Sequence, residues 1–186
     1  MRRLHWYGDL QPGDLQAEGL QSEGLASEPI EPLDDELILQ LEQTFGVTLP
    51  DHYKEMLKTR HGDEPLECEI LDPQTQRPRM GGMGRVLTAE PEDSYSIHNA
   101  VKYVADGVLP FAEDGGGNFT CFDYRQDRNT TSPPVVFWFH EQDEESNCHQ
   151  LASSFEEFIL KLQIPQDVID DLRDQDLLPQ DLLSQT

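Results

Sequence analysis

Cysteine is scarce in this chain. Cys68, Cys121 and Cys148 are all it has, an odd number without the spacing of a metal or redox motif. That argues against a disulfide framework and for a reducing compartment. Long apolar runs are missing as well. No segment approaches the roughly 20 consecutive apolar residues needed to span a bilayer. Met1-Arg2-Arg3 is followed by LHWYGDLQPGD rather than by the apolar stretch of a signal peptide, so the protein is expected to be soluble and cytoplasmic. Positive charge is the third shortage: 13 Lys and Arg stand against 37 Asp and Glu, a net charge of -24. Such a surface repels nucleic-acid phosphates and anionic membranes, which excludes both as expected partners, and it attracts basic proteins.

Catalytic and metal constellations are also absent. His140, Glu141, Cys148 and His149 are crowded together, yet they form neither HExxH nor paired CxxC. His5, His52, His61 and His98 have no ordered Ser or Asp partners. Asp114 and Asp123 flank a turn and could face each other as a carboxylate pair of the kind that runs acid–base chemistry. No nucleophile or oxyanion donor accompanies them, so turn and strand-end roles fit better. The GGMG run within residues 72–84 lacks the strand–Gly–helix setting of a nucleotide site and reads as a loop. No catalytic residue, cofactor or metal site is therefore expected.

What the chain does contain is periodicity. Leu10, Leu15, Leu20, Leu25 and Ile30 recur every five residues, a spacing that suits neither helix nor strand. Solenoids need three or more stacked units, and these pentapeptides make little more than one coil. Residues 1–32 therefore read as a flexible or loosely docked extension. Asp34 or Asp35 can cap a first helix with Leu37, Leu41 and Phe45 on one face and Gly46 at its end. Pro50 opens a second helix, with Tyr53, Met56, Leu57 and Arg60 together and Gly62 as terminator. Leu66, Cys68 and Ile70 alternate with Glu67 and Glu69 as a half-exposed strand. Arg85 to Ala89 suggests a short strand. Ser96 caps a helix carrying Ile97, Val101 and Val104, which Gly107 ends.

The centre of the chain is VLPFAEDGGGNFTCFDY followed by PPVVFWFHE and LASSFEEFILKL. Phe119, Cys121 and Asp123 alternate with Thr120, Phe122 and Tyr124, the mark of a pleated strand. Gly115, Gly116 and Gly117 supply the positive φ of a hairpin turn, and Asp114 beside them suits an Asx turn. Val135 to Phe139 is apolar without alternation, as in a central strand covered on both faces. Ser153 with Glu156, and Ser154 with Glu157, both have capping-box spacing ahead of the apolar face Phe155, Phe158, Ile159 and Leu162. Trp138 and Phe155 are expected in one core. Beyond Pro165, residues 166–186 form an acidic helix and tail. From residue 130 onward, twelve acidic side chains stand against Lys161 and Arg173, either a solvated face or a docking face.

The segments LPFAEDGGG…CFD, VVFWFHE and ASSFEEFI, with LPDHYKEMLKTRHG at Leu49 to Gly62, together resemble the SUKH immunity-protein superfamily, which includes the yeast Smi/Knr-type cell-wall assembly regulator. The likeness covers residues 33–165, in order and spacing. Asn118 departs from it, standing where many relatives carry an acidic residue, and so does Phe139 after the tryptophan. The resemblance implies an α+β fold, a single SUKH-like domain with an antiparallel sheet and helices packed on one side. It also implies binding rather than catalysis: an immunity protein that neutralises a toxin, often a nuclease with a basic substrate site, or alternatively a regulatory scaffold. A hydrolase using Asp114, Asp123 and His140 is the third reading. Charge and topology single out Glu113, Asp114, Glu141, Asp143, Glu144 and Glu145 as the carboxylates that would meet a basic protein partner, such as a cognate toxin domain.

Overall fold

The structure, a computed structural model, describes residues 3–10, 31–71, 78–142, 147–179 and 182. Most of the five-residue leucine repeat, and Asp143, Glu144 and Glu145, lie outside those residues.

Helix α1 (Asp35–Phe45) begins where the Asp34 side chain accepts the Glu36 N–H and ends at Gly46, whose φ of 64° is left-handed. Its inward stripe is Ile38 and Leu41, with Leu37 and Phe45 only partly covered, so the buried face is rotated by about one position from the expected one. Helix α2 (Asp51–Arg60) follows Pro50 and buries Tyr53, Met56 and Leu57. These side chains meet a five-stranded antiparallel sheet of order β3-β4-β5-β6-β7. Its strands are β3 (Arg85–Val86), β4 (Val108–Glu113), β5 (Phe119–Asp123), β6 (Val135–Trp138) and β7 (Cys148–Ala152). Helix α3 (Ile97–Ala100), capped by Ser96 as expected, precedes β4. Helix α4 (Phe155–Lys161) uses the later of its two possible caps, since Ser154 accepts the Glu157 N–H while Glu157 accepts the N–H of Ser153.

Alternation assigns the two faces of the sheet. On one, Phe122 stacks on Phe111 with centroids 4.4 Å apart and meets Tyr53 and Phe155 edge-on. This face is covered by α2 and α4. On the other, Phe119 stacks on Trp138 at 5.6 Å. Trp138 and Phe155 are thus both buried in one continuous core, yet on opposite sides of the sheet. All four residues of β6 are buried, which is why its sequence shows no alternation.

A second, three-stranded sheet runs β2-β1-β8, formed by β1 (Glu69–Leu71), β2 (Pro78–Gly82) and β8 (Leu162–Gln163). The GGMG run is therefore not the loop expected: its first two glycines lie in β2, and the run links the two sheets. Gly81 has φ 99°, and a Cβ there would come within 2.8 Å of the Phe137 ring. Glycine is required at that approach. Thr120 donates its hydroxyl to the Gly82 carbonyl, joining the sheets.

Glu67 is a second correction. Expected on an exposed face, it is fully buried. Its side chain accepts the His5 backbone N–H at 2.8 Å and lies 2.8 Å from His5 Nδ1, so the buried group is satisfied by hydrogen bonds. The described part of the amino-terminal extension packs closely. Trp6 bridges to Pro65, the Arg60 guanidinium lies 5.1 Å above the Trp6 ring, and Arg60 donates two 2.9 Å bonds to Asp9. Helix α5 (Gln166–Asp174) closes a smaller cluster, where Leu172 and Leu178 bury Leu66 with help from Tyr7 and Leu10. Among the described residues, no helix is long and apolar enough to cross a membrane.

Candidate functional site at the hairpin end of the sheet

The β4–β5 turn is organised by one carboxylate. Asp114 Oδ1 accepts the N–H groups of Gly116 and Asn118 at 2.8 and 2.9 Å, and Asp114 Oδ2 accepts the Asn118 side-chain amide at 2.8 Å. This is the Asx turn that the sequence suggests. Only Gly117, with φ 82°, has the left-handed conformation, so one glycine of the three is needed for it.

The antiparallel register then joins this turn to the end of β6. Phe119 pairs with Trp138, which sets Asn118 beside the residues after that strand. Asn118 Oδ1 accepts the His140 backbone N–H at 3.1 Å and lies 3.0 Å from His140 Nδ1. His140 Nε2 in turn lies 3.9 Å from a Glu141 oxygen. Of the residues singled out from sequence, Glu113, Asp114 and Glu141 gather at this end. Asn118 and His140 are the joint between their segments, and charge alone could not reveal them.

Glu113 closes the same edge, opposite Arg85 and Phe119 in register. Burial pushes its carboxyl above the ordinary value, Arg85 opposes that rise, and the charges of Glu64 and Asp114 add to it. Arg85 is shared, bonding Glu64 at 3.4 Å and lying 4.9 Å over the Tyr95 ring. Among the described residues, no Lys or Arg forms an ion pair with Glu113, Asp114 or Glu141.

Asp123 does not face Asp114. It sits at the opposite end of β5, paired in register with Val108. Arg125 grips it with two bonds of 2.8 and 2.7 Å and holds its carboxyl below the usual carboxylate range. Asp106 is likewise engaged by Arg128. The geometry therefore removes the Asp114–Asp123 pair on which acid–base chemistry would depend.

The remaining reactive groups are scattered. His149 lies edge-on to Phe139, its Nε2 3.0 Å from the Gln142 side-chain oxygen. Burial raises the thiols of Cys121 and Cys148, and that of Cys68 to about 11, so thiolate is disfavoured at all three. Among the described residues, no group of three or more His, Cys, Asp or Glu is placed to hold a metal ion. What the hairpin end offers is a braced, negatively charged surface.

Comparison with known proteins agrees with the fold. Residues 32–161 match the SMI1 / KNR4 family (SUKH-1). The chain is also 26% identical over 147 residues to the SPbeta prophage-derived uncharacterized protein YokK of Bacillus subtilis (strain 168), covering 69% of this chain and 73% of that protein.

Proposed function

Because this chain belongs to the SMI1 / KNR4 family (SUKH-1), we propose that it is a non-enzymatic binding protein of the immunity type, which neutralises a toxin by direct protein–protein contact. The contact surface is the hairpin end of the five-stranded sheet, with Glu113, Asp114 and Glu141 joined by Asp143, Glu144 and Glu145. One observation carries the reading: among the described residues these carboxylates form no ion pair with Lys or Arg, whereas several basic residues elsewhere do pair with acids. Lys54 pairs with Asp51, Lys58 with Asp35, Arg60 with Asp9, Arg125 with Asp123, and Arg173 with Asp170. An uncompensated acidic end suits a partner whose substrate site is basic, since carboxylates can occupy phosphate positions and speed encounter.

The test mixes this chain in stopped flow, at increasing ionic strength, with a toxin domain identified from the genes that neighbour its own. The association rate is expected to fall steeply with salt, and neutralising Glu141, Asp143, Glu144 and Glu145 together is expected to slow it without unfolding the protein. A rate that ignores both salt and the fourfold substitution would sink the reading.

A further inference from the structure

The hydrogen bonds at the hairpin end fix a property that charge does not: which nitrogen of His140 carries the proton. An Asn side chain can be turned either way round, and its partners decide the orientation. At Asn118 both ends are decided. The His140 backbone N–H can only donate, so the atom it reaches at 3.1 Å is the amide oxygen. Asp114 Oδ2 on the far side can only accept while ionised, so the atom 2.8 Å away is the amide nitrogen. A flipped amide would set donor against donor and acceptor against acceptor. His140 Nδ1, 3.0 Å from that same oxygen, must therefore be a donor.

We propose that the Asp114–Asn118 pair locks neutral His140 as the Nδ1–H tautomer, leaving Nε2 a bare hydrogen-bond acceptor for an arginine guanidinium or lysine ammonium of a partner protein. This deepens the reading above and rests on it for the identity of the surface. The His140 side chain is 44% exposed, and the Glu141 side chain beside Nε2 is 86% exposed. An entering cation thus meets an imidazole acceptor and a carboxylate together. Protonating Nε2 replaces the acceptor with a donor of like charge to the partner, so this contact works in the neutral state only. Among the described residues, the other charged groups at this end are Asp114, reached through Asn118, and Glu113 with Arg85 and Glu64.

Two measurements test it. The first is nitrogen NMR of ring-labelled histidine in the free, full-length protein at pH 8. His140 is expected to show a protonated Nδ1 and an unprotonated Nε2, and Asn118→Ala to mix the tautomers. An Nε2–H signal in the unaltered protein overturns the proposal without touching the binding role. The second titrates a hexa-arginine peptide at pH 8 and pH 5.5. The loss of affinity on acidification is expected to be about tenfold greater than in His140→Gln, because a charge-assisted hydrogen bond is lost. Carboxylates common to the two proteins titrate in both, so the difference reads His140. Peptide saturation is also expected to move the Nε2 resonance and leave Nδ1 in place. Salt-sensitive binding with the same pH dependence in both proteins overturns the His140 proposal alone. Absence of peptide binding at low salt overturns the acidic surface itself, and the acceptor role with it.

Discussion

The two ends of the five-stranded sheet treat negative charge in opposite ways. At the end formed by Asp123 and Asp106, each carboxylate meets an arginine, Arg125 or Arg128. At the hairpin end, Asp114 is held by two backbone N–H groups and one amide, while Glu113 is half-buried and Glu141 stands in solvent. An ion pair cancels the far field of a carboxylate. A cage of neutral donors fixes its position and leaves the field intact. The first arrangement neutralises one end of the sheet, and the second leaves the other with an outward negative field. The same residue type therefore plays two roles, and the difference lies in what satisfies it.

Both ends hang on one core, so the largest effect comes from cutting into it. Trp138 stacks on Phe119 directly beneath the hairpin end. Trp138→Ala is expected to cost about 3–5 kcal/mol in a chemical denaturation curve. A cost below about 1 kcal/mol would mean that the stack does not support the turn above it, and the contrast between the two ends would lose its common base.

The next effect sets one end against the other. Asp114→Ala leaves three donors without their acceptor, and a cost of about 1–2 kcal/mol is expected, as for a lost helix cap. Asp123→Ala breaks a pair whose arginine side chain is 41% exposed, and a partly exposed pair is worth about 0.2–1 kcal/mol. Asp114→Asn separates position from charge: its oxygen can still take both backbone N–H groups, but its amide confronts the Asn118 amide. An intermediate cost is expected there. If Asp123→Ala proves the more damaging of the two alanine variants, the turn is not braced by Asp114 as described.

How much of this was legible in the sequence divides along the same line of reach. Short-range signals read correctly: Asp34, Ser96 and Ser154 cap helices, Gly46 takes the left-handed φ that ends α1, and Asp114 builds its turn with residues two and four positions away. Gly107 is left-handed too but does not end α3, which stops at Ala100. The continuous apolar run at Val135 marked a strand buried on both faces because burial on both sides suppresses alternation. Long-range satisfaction did not read. Glu67 looked exposed because its period matched Glu69, and its partner His5 lies 62 residues earlier. Asn118 looked like one more turn residue, since its bond to His140 spans 22 residues and exists only through the β5–β6 register. Asp114 and Asp123 looked like a possible pair because hairpin flanks lie close in sequence, yet β5 carries them to opposite ends.

The smallest effect concerns pH, and here the two ends are expected to differ in sign. Burial raises the Glu113 carboxyl above its ordinary 4.5, so the folded protein holds that proton more tightly than the unfolded chain. Its contribution is fully present below 4.5 and is lost as pH rises through the folded value. Arg125 lowers the Asp123 carboxyl below its ordinary 3.8, so that contribution is present above 3.8 and is lost as pH falls through the folded value. At neutral pH, Glu113→Gln is therefore expected to stabilise slightly and Asp123→Asn to destabilise slightly, each by roughly 0.5 kcal/mol once solvent screening is allowed for. Urea denaturation at pH 7 and pH 4 separates them. Relative to the unaltered protein, the gain in Glu113→Gln is expected to shrink at pH 4, while the loss in Asp123→Asn is expected to persist there, because the arginine-paired carboxyl is still ionised in the fold. Destabilisation by Glu113→Gln at pH 7 would show that Arg85 compensates Glu113 as fully as Arg125 compensates Asp123. The hairpin end would then carry less free charge than its geometry indicates.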